Sequence, residues 1–159
     1  AVFDGLQRGI YGNKPATIGE QIEAIGGKAL RLGSYGDPAA VPLTVWDAIA
    51  PHASMVTGYT HQWKQKTIDI GLANWCMASC DSAQDTVYAG MLGYRSFRVR
   101  RSTDETVSGE VICPASEEAG RKTSCSDCKA CGGLSAKAKA NIVIMAHGIG
   151  SGHVERRTQ

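Results

Sequence analysis

Residues 17–33 read T-I-G-E-Q-I-E-A-I-G-G-K-A-L-R-L-G, and this stretch decides the fold class. Thr17 followed three residues later by Glu20 is a capping box, in which each side chain satisfies a donor left open at a helix start. Ile18, Ile22 and Ile25 recur at helical spacing, and Gly26-Gly27 end the helix. The pattern then changes to Ala29-Leu30-Arg31-Leu32-Gly33, a short strand that runs into the turn Ser34-Tyr35-Gly36-Asp37-Pro38. A helix followed at once by a strand is the unit from which parallel sheets are built.

The alternation continues outward from there. Residues 42–50 read as a second helix, with Thr44 as its cap and Pro51 at its end. Residues 54–59 read as a strand ending at Thr60-His61, and residues 72–76 as a third. Asp81 or Ser82 opens a helix through Val87, Tyr88, Met91 and Leu92, closed by Gly93. Residues 96–99 and 110–112 are strands, and residues 141–146 are the last. These strands are nearly all apolar, as in sheets covered on both faces. The expected fold is α/β: an open, mostly parallel sheet or partial barrel, with a cysteine-rich metal-binding loop at 113–133 before the last strand. Residues 1–150 are expected to form one domain, and residues 151–159 a polar tail.

Composition narrows the function classes. The chain has 159 residues and a net charge of +2, too little charge to argue for nucleic acid alone. No apolar run approaches the ~18 residues of a membrane span, so no membrane role is expected. No secretory leader precedes the first helix, which favours a cytoplasmic location. The first residue is not Met, so the chain reads as a fragment or a processed form.

The chemistry collects in C-P-A-S-E-E-A-G-R-K-T-S-C-S-D-C-K-A-C-G-G, from Cys113 to Gly133. Cys125, Cys128 and Cys131 have C-x2-C-x2-C spacing, and Cys113 lies twelve positions upstream. Four thiols are a full ligand set for one metal ion or one iron–sulfur cluster. Zinc sites favour two separate C-x2-C knuckles. One tight triplet with a distant fourth is nearer the bacterial ferredoxin pattern, although the full run is absent. A [4Fe-4S] cluster is therefore the expected cofactor, with zinc as the alternative. Arg121, Lys122 and Lys129 are basic residues able to offset thiolate charge. Cys76 and Cys80, at C-x3-C spacing, are either additional ligands or buried structural thiols.

A second group follows from the fold. Parallel sheets bind ligands at the carboxyl ends of their strands. Asp37, Tyr59, His61, Cys76, Cys80, Arg98, Arg100 and His147 all fall near expected strand ends. Asp37, His61 and His147 are the candidate catalytic residues for a small-molecule substrate.

Four segments together carry a family resemblance: L-R-L-G-S-Y-G-D-P at 30–38, G-Y-T-H-Q-W at 58–63, C-P-x10-C-S-D-C-K-A-C at 113–131 and I-V-I-M-A-H-G at 142–148. In order and spacing the chain resembles the phage-encoded gene-product-88-like family, whose biochemical role is not established. The resemblance implies a partial radical-SAM-like α/β fold with cysteine clusters, and the host cell cytoplasm as the location. Longer relatives carry a further cysteine-rich segment upstream, whereas this chain has no cysteine before Cys76. It also lacks the C-x3-C-x2-C triad of radical-SAM enzymes, because Ala83 stands where the third cysteine would be. Two readings result. One is a cluster protein with redox or radical-type chemistry at the strand ends. The other is a zinc-stabilised, non-catalytic module that binds nucleic acid or a protein partner.

Overall fold

In the computed structural model, which describes residues 2–10, 16–147 and 151–156, the capping box closes as the sequence implies. The Glu20 backbone N–H donates to Thr17 Oγ1 at 3.2 Å, and the Thr17 N–H donates to Glu20 Oε2 at 2.7 Å. A short helix α1 (Val2–Gln7) precedes this point, and the capped helix α2 (Ile18–Ile25) follows it. Gly26, in the left-handed region at φ 36°, ends α2 and returns the chain into strand β1 (Ala29–Arg31). Helix α3 (Leu43–Ile49) begins after Pro42 with no side-chain cap, so Thr44 does not have the capping role read for it.

One extended segment then serves two sheets. Strand β2 (Met55–Thr57) pairs in parallel with β1, and β3 (Tyr59–Thr60) pairs in parallel with β4 (Met77–Cys80). Gly58 is the hinge between them. A Cβ on Gly58 would lie 2.7 Å from Cys76 Sγ and 3.2 Å from Leu32 Cβ, so only glycine fits. Beyond β4 come helix α4 (Ala83–Met91), β5 (Ser96–Arg100), β6 (Glu110–Ile112), the four-residue helix α5 (Cys125–Cys128), β7 (Asn141–Met145) and helix α6 (Ser151–Arg156). The larger sheet has the order β3-β4-β5-β7-β6, and every pairing is parallel. The α/β fold with an open parallel sheet is therefore present.

Two expectations change. Residues 70–74 form a 3-10 helix rather than part of a third strand, because the Asp69 carboxylate accepts the Gly71 N–H at 2.9 Å and starts a turn. The strand is displaced to Met77–Cys80, so Cys76 lies before it instead of at its carboxyl end. In the expected polar tail, residues 151–156 are helical, and Val154 borders a groove with Phe97 and Ile144.

Strand alternation gives the larger sheet two unlike faces. Ala78 and Cys80 pack with Trp63, Ala89 and Tyr94, under α4. Met77 and Ile142 face the other way, against Ala130 and the cysteine loop, with Tyr59 and Phe97 beside them. A third cluster around Leu32, Leu72 and Cys76 packs α3 on the small sheet.

The α4 side also holds an ion pair. Arg98 Nε and Nη2 donate to the two Glu110 carboxylate oxygens, both at 2.7 Å, and the two side chains are 2% and 0% exposed. Burial raises the Glu110 pKa, but the hydrogen bonds from Arg98 and from the Val107 N–H outweigh it, and the net shift is downward. A carboxyl depressed in the folded state stabilises the fold above its unfolded value of about 4.3, and that contribution is lost as pH falls through the folded value. Glu110→Gln leaves the Arg98 charge buried and unpaired, and is expected to cost about 3–5 kcal/mol. Denaturant melts at neutral pH check the magnitude. In acid, as pH falls below the ordinary carboxylate range and Glu110 protonates, the variant and parent curves converge.

Candidate metal centre

The loop between β6 and β7 starts in sheet register. The Cys113 N–H donates to the Val143 carbonyl at 2.8 Å, and Val111, two residues earlier, pairs with Ile142 on the loop-facing side. Cys113 therefore points to that same face. Ser116 Oγ donates to the Cys113 carbonyl at 2.7 Å and turns the chain away. The loop returns through α5, whose N-cap Ser124 accepts the Asp127 N–H at 3.3 Å. Lys129, left-handed at φ 54°, ends α5. This reversal brings Cys128 and Cys131 to the same pocket.

Cys131 lies directly on the sheet, its carbonyl accepting the Gly58 N–H at 3.3 Å. Gly132 and Gly133 then touch backbone. A Cβ on Gly132 would lie 2.7 Å from the Val56 carbonyl oxygen, and one on Gly133 would lie 2.4 Å from that of Ala73. The two glycines seat the loop; the freedom they give the chain is secondary.

Cys113, Cys125, Cys128 and Cys131 all line one small pocket, walled by Tyr59, Pro114 and Ile142. The thiols ring this pocket rather than meeting at a point. Among the described residues, no three Cys, His, Asp or Glu side chains are grouped as they would be around a single ion. The donor set fits a thiophilic centre: four soft ligands, mostly apolar walls and no competing carboxylate in the lining. Burial raises the Cys131 thiol pKa, partly offset by its hydrogen bond with Tyr59, and burial raises Cys113 as well. Tyr59 shifts upward through its own burial and the neighbouring Cys131.

A residue outside the candidate set read from the sequence lies under the loop. Arg95, just before β5, is 5% exposed and belongs to the loop-facing side. Its Nη1 donates to the carbonyls of Ala130 and Gly133, both at 2.8 Å, and its Nε donates to Ala140 at 3.2 Å, where Nη2 also bonds. Among the described residues none of its partners is a carboxylate. Burial lowers its pKa, opposed by the charge of Cys131. Arg121, expected to offset thiolate charge, instead pairs with Glu117 at an exposed position.

The other expected site residues are dispersed. Cys76 and Cys80 are fully buried in two different clusters, and neither lines the four-thiol pocket. Burial pushes both thiols up to about 12. Asp37 is used in structure: Oδ1 accepts the Ala39 N–H at 2.9 Å and the Thr60 hydroxyl at 2.7 Å, while Oδ2 accepts the His61 N–H at 2.8 Å. His61 is exposed, and its Nε2 lies 2.9 Å from Ser79 Oγ. His147 follows β7, with β4 and β5 between it and the His61 strand, a separation of about 14 Å across the sheet. Asp37 and His61 are thus brought together, and His147 is not. Arg98 and Arg100 are buried on the opposite face, paired with Glu110 and Glu118.

No family model, curated protein or solved structure matches this chain. Among the described residues no helix is long and apolar enough to cross a membrane.

Exposure and burial together set an order of thiol reactivity. In folded, metal-free protein at about pH 8, iodoacetamide is expected to label exposed Cys125 first, and the partly buried Cys113, Cys128 and Cys131 more slowly. Cys76 and Cys80 should react only after denaturant is added. Mass spectrometry of timed digests reads the order, and early labelling of Cys76 would contradict the packing described.

Proposed function

We propose that this protein binds an iron–sulfur cluster of the [4Fe-4S] type, held by Cys113, Cys125, Cys128 and Cys131. The observation that carries this reading is the pocket itself. Two segments separated by a loop contribute all four thiols to one mostly apolar hollow on the sheet face. The C-x2-C-x2-C triplet with a remote fourth cysteine supports iron–sulfur over zinc. A bound cluster supplies one-electron redox chemistry. The chain's own part is to hold the thiols, exclude water with Tyr59 and Ile142, and donate the Tyr59 hydroxyl toward Cys131.

We further infer kinship with the gene-product-88-like phage proteins, on the order of the four shared segments. A small-molecule substrate is best accommodated next to the thiols, in a cavity of about 290 Å³ lined by Glu118, Arg121, Met145 and His147. That cavity shares Ala115 with the thiol pocket. It favours His147 over Asp37 and His61 as the residue in contact with substrate.

Anaerobic purification followed by iron, acid-labile sulfide and zinc analysis tests the reading. Brown protein with four iron and four sulfide per chain is expected. Cys128→Ser and Cys131→Ser should reduce iron to background, whereas Cys76→Ser and Cys80→Ser should retain it. Stoichiometric zinc without iron, from anaerobic cells and buffers, would replace the cluster by a zinc-stabilised loop. Salt-sensitive nucleic-acid binding would then become the property to measure.

A further inference from the structure

Three arginines lie within six residues of one another on or beside β5, and all are buried: Arg95 at 5%, Arg98 at 2% and Arg100 at 7%. Arg98 and Arg100 face the α4 side, and each meets a carboxylate, from Glu110 and Glu118 respectively. Arg95 faces the cysteine loop, and among the described residues it bonds only to the carbonyls of Ala130, Gly133 and Ala140. Carbonyl oxygens satisfy its donors but leave its charge without a counter-ion. A charge withdrawn from water is tolerated when an opposite charge is near. Cys131, which follows directly after the Ala130 carbonyl that Arg95 holds, can provide one as a thiolate.

We propose that Arg95 is the built-in counter-cation of the four-cysteine site, clamping residues 130–140 to the sheet and offsetting the negative charge of the metal-bound thiolates. The proposal rests on the reading that these thiols bind a metal centre, but not on which metal. A divalent ion or a doubly positive cluster core with four thiolates carries a net double negative charge. Removing such a centre from water without a nearby cation is unfavourable, and a fixed guanidinium at the loop's root meets that need before the metal arrives. Arg95 acts through the ligands and not on any reacting atom, so it is a positioning residue.

Cobalt(II) is a suitable probe because its thiolate charge-transfer absorption reports thiolate ligation directly. Reduced, metal-free full-length chain is titrated anaerobically with cobalt(II) chloride, comparing the parent with Arg95→Lys and Arg95→Gln. Lysine keeps the charge and loses the fork; glutamine keeps donors and loses the charge. The glutamine variant is expected to bind about 10–100-fold more weakly, as for loss of an outer-shell partner, and the lysine variant close to the parent. Circular dichroism melts without metal identify any variant that fails to fold, and the remaining variant then decides. Equal affinity in all three chains overturns the proposal while leaving the metal site intact. A loss with lysine that equals or exceeds the loss with glutamine also overturns it, since the carbonyl clamp alone would then explain the residue. Absence of thiolate-to-cobalt absorption in the parent removes the metal site and this proposal with it.

Discussion

Gly58 is the point at which three parts of the molecule meet, and they meet there because it lacks a side chain. Its N–H reaches the Cys131 carbonyl of the loop, and its own carbonyl accepts the Met77 N–H that opens β4. Its Cα faces Cys76 and Leu32, the buried centre of the small sheet. A Cβ here would press on Cys76 and Leu32 and approach the Trp75 carbonyl oxygen. Backbone contact of this closeness is shape-specific, and it explains why the loop repeats the device with Gly132 and Gly133 against Val56 and Ala73. The cysteine pocket is therefore positioned mainly by main-chain packing, and its four side chains are free to serve as ligands.

The two faces of the larger sheet treat charge differently. Under α4, buried arginines close on buried acids, and Glu110 also binds Val107 while Glu118 accepts the Met145 N–H at 3.1 Å. That face is electrically self-contained, and its ion pairs tie the 101–118 segment to the sheet. The loop face carries a cation, an aromatic pair with Tyr59 and Phe97 centroids 4.6 Å apart, and four thiols, with no acid in the thiol pocket. Arg95 is the buried cation on that face, while burial favours the neutral thiols of Cys113 and Cys131.

Local chemistry was legible in the sequence, and register was not. The Thr17–Glu20 capping box and the Ser82 cap of α4 each act within a few residues, and each appears where it was read. The strand read over Leu72 to Cys76 failed because a short apolar segment fits a strand or a helical turn equally well; Asp69 decided it by capping the turn. Arg95 was invisible for a different reason. In the sequence it is one of several arginines between residues 95 and 101, and only the placement of β5 between β4 and β7 turns it toward the loop. Asp37 was read as a candidate from its place after the first strand, and its oxygens join the turn after β1 to the end of β3.

Strand β6 lies at the edge of the larger sheet, three residues long, with β7 as its only neighbour. Arg98 fastens it at Glu110, and its other end leads into Cys113, which lines the thiol pocket. An exposed sheet edge is a template for pairing with other chains, and short, pinned strands are one means of blocking it. The Cys113 end is held by its main-chain bond to Val143, by the short turn that follows and by packing on the loop-facing cluster. Fraying from that end would uncover β7, with Ile142-Val143-Ile144, as a new apolar edge. On the proposed reading, in which the four thiols hold one cluster, cluster loss and self-association of the polypeptide would be linked through this one strand.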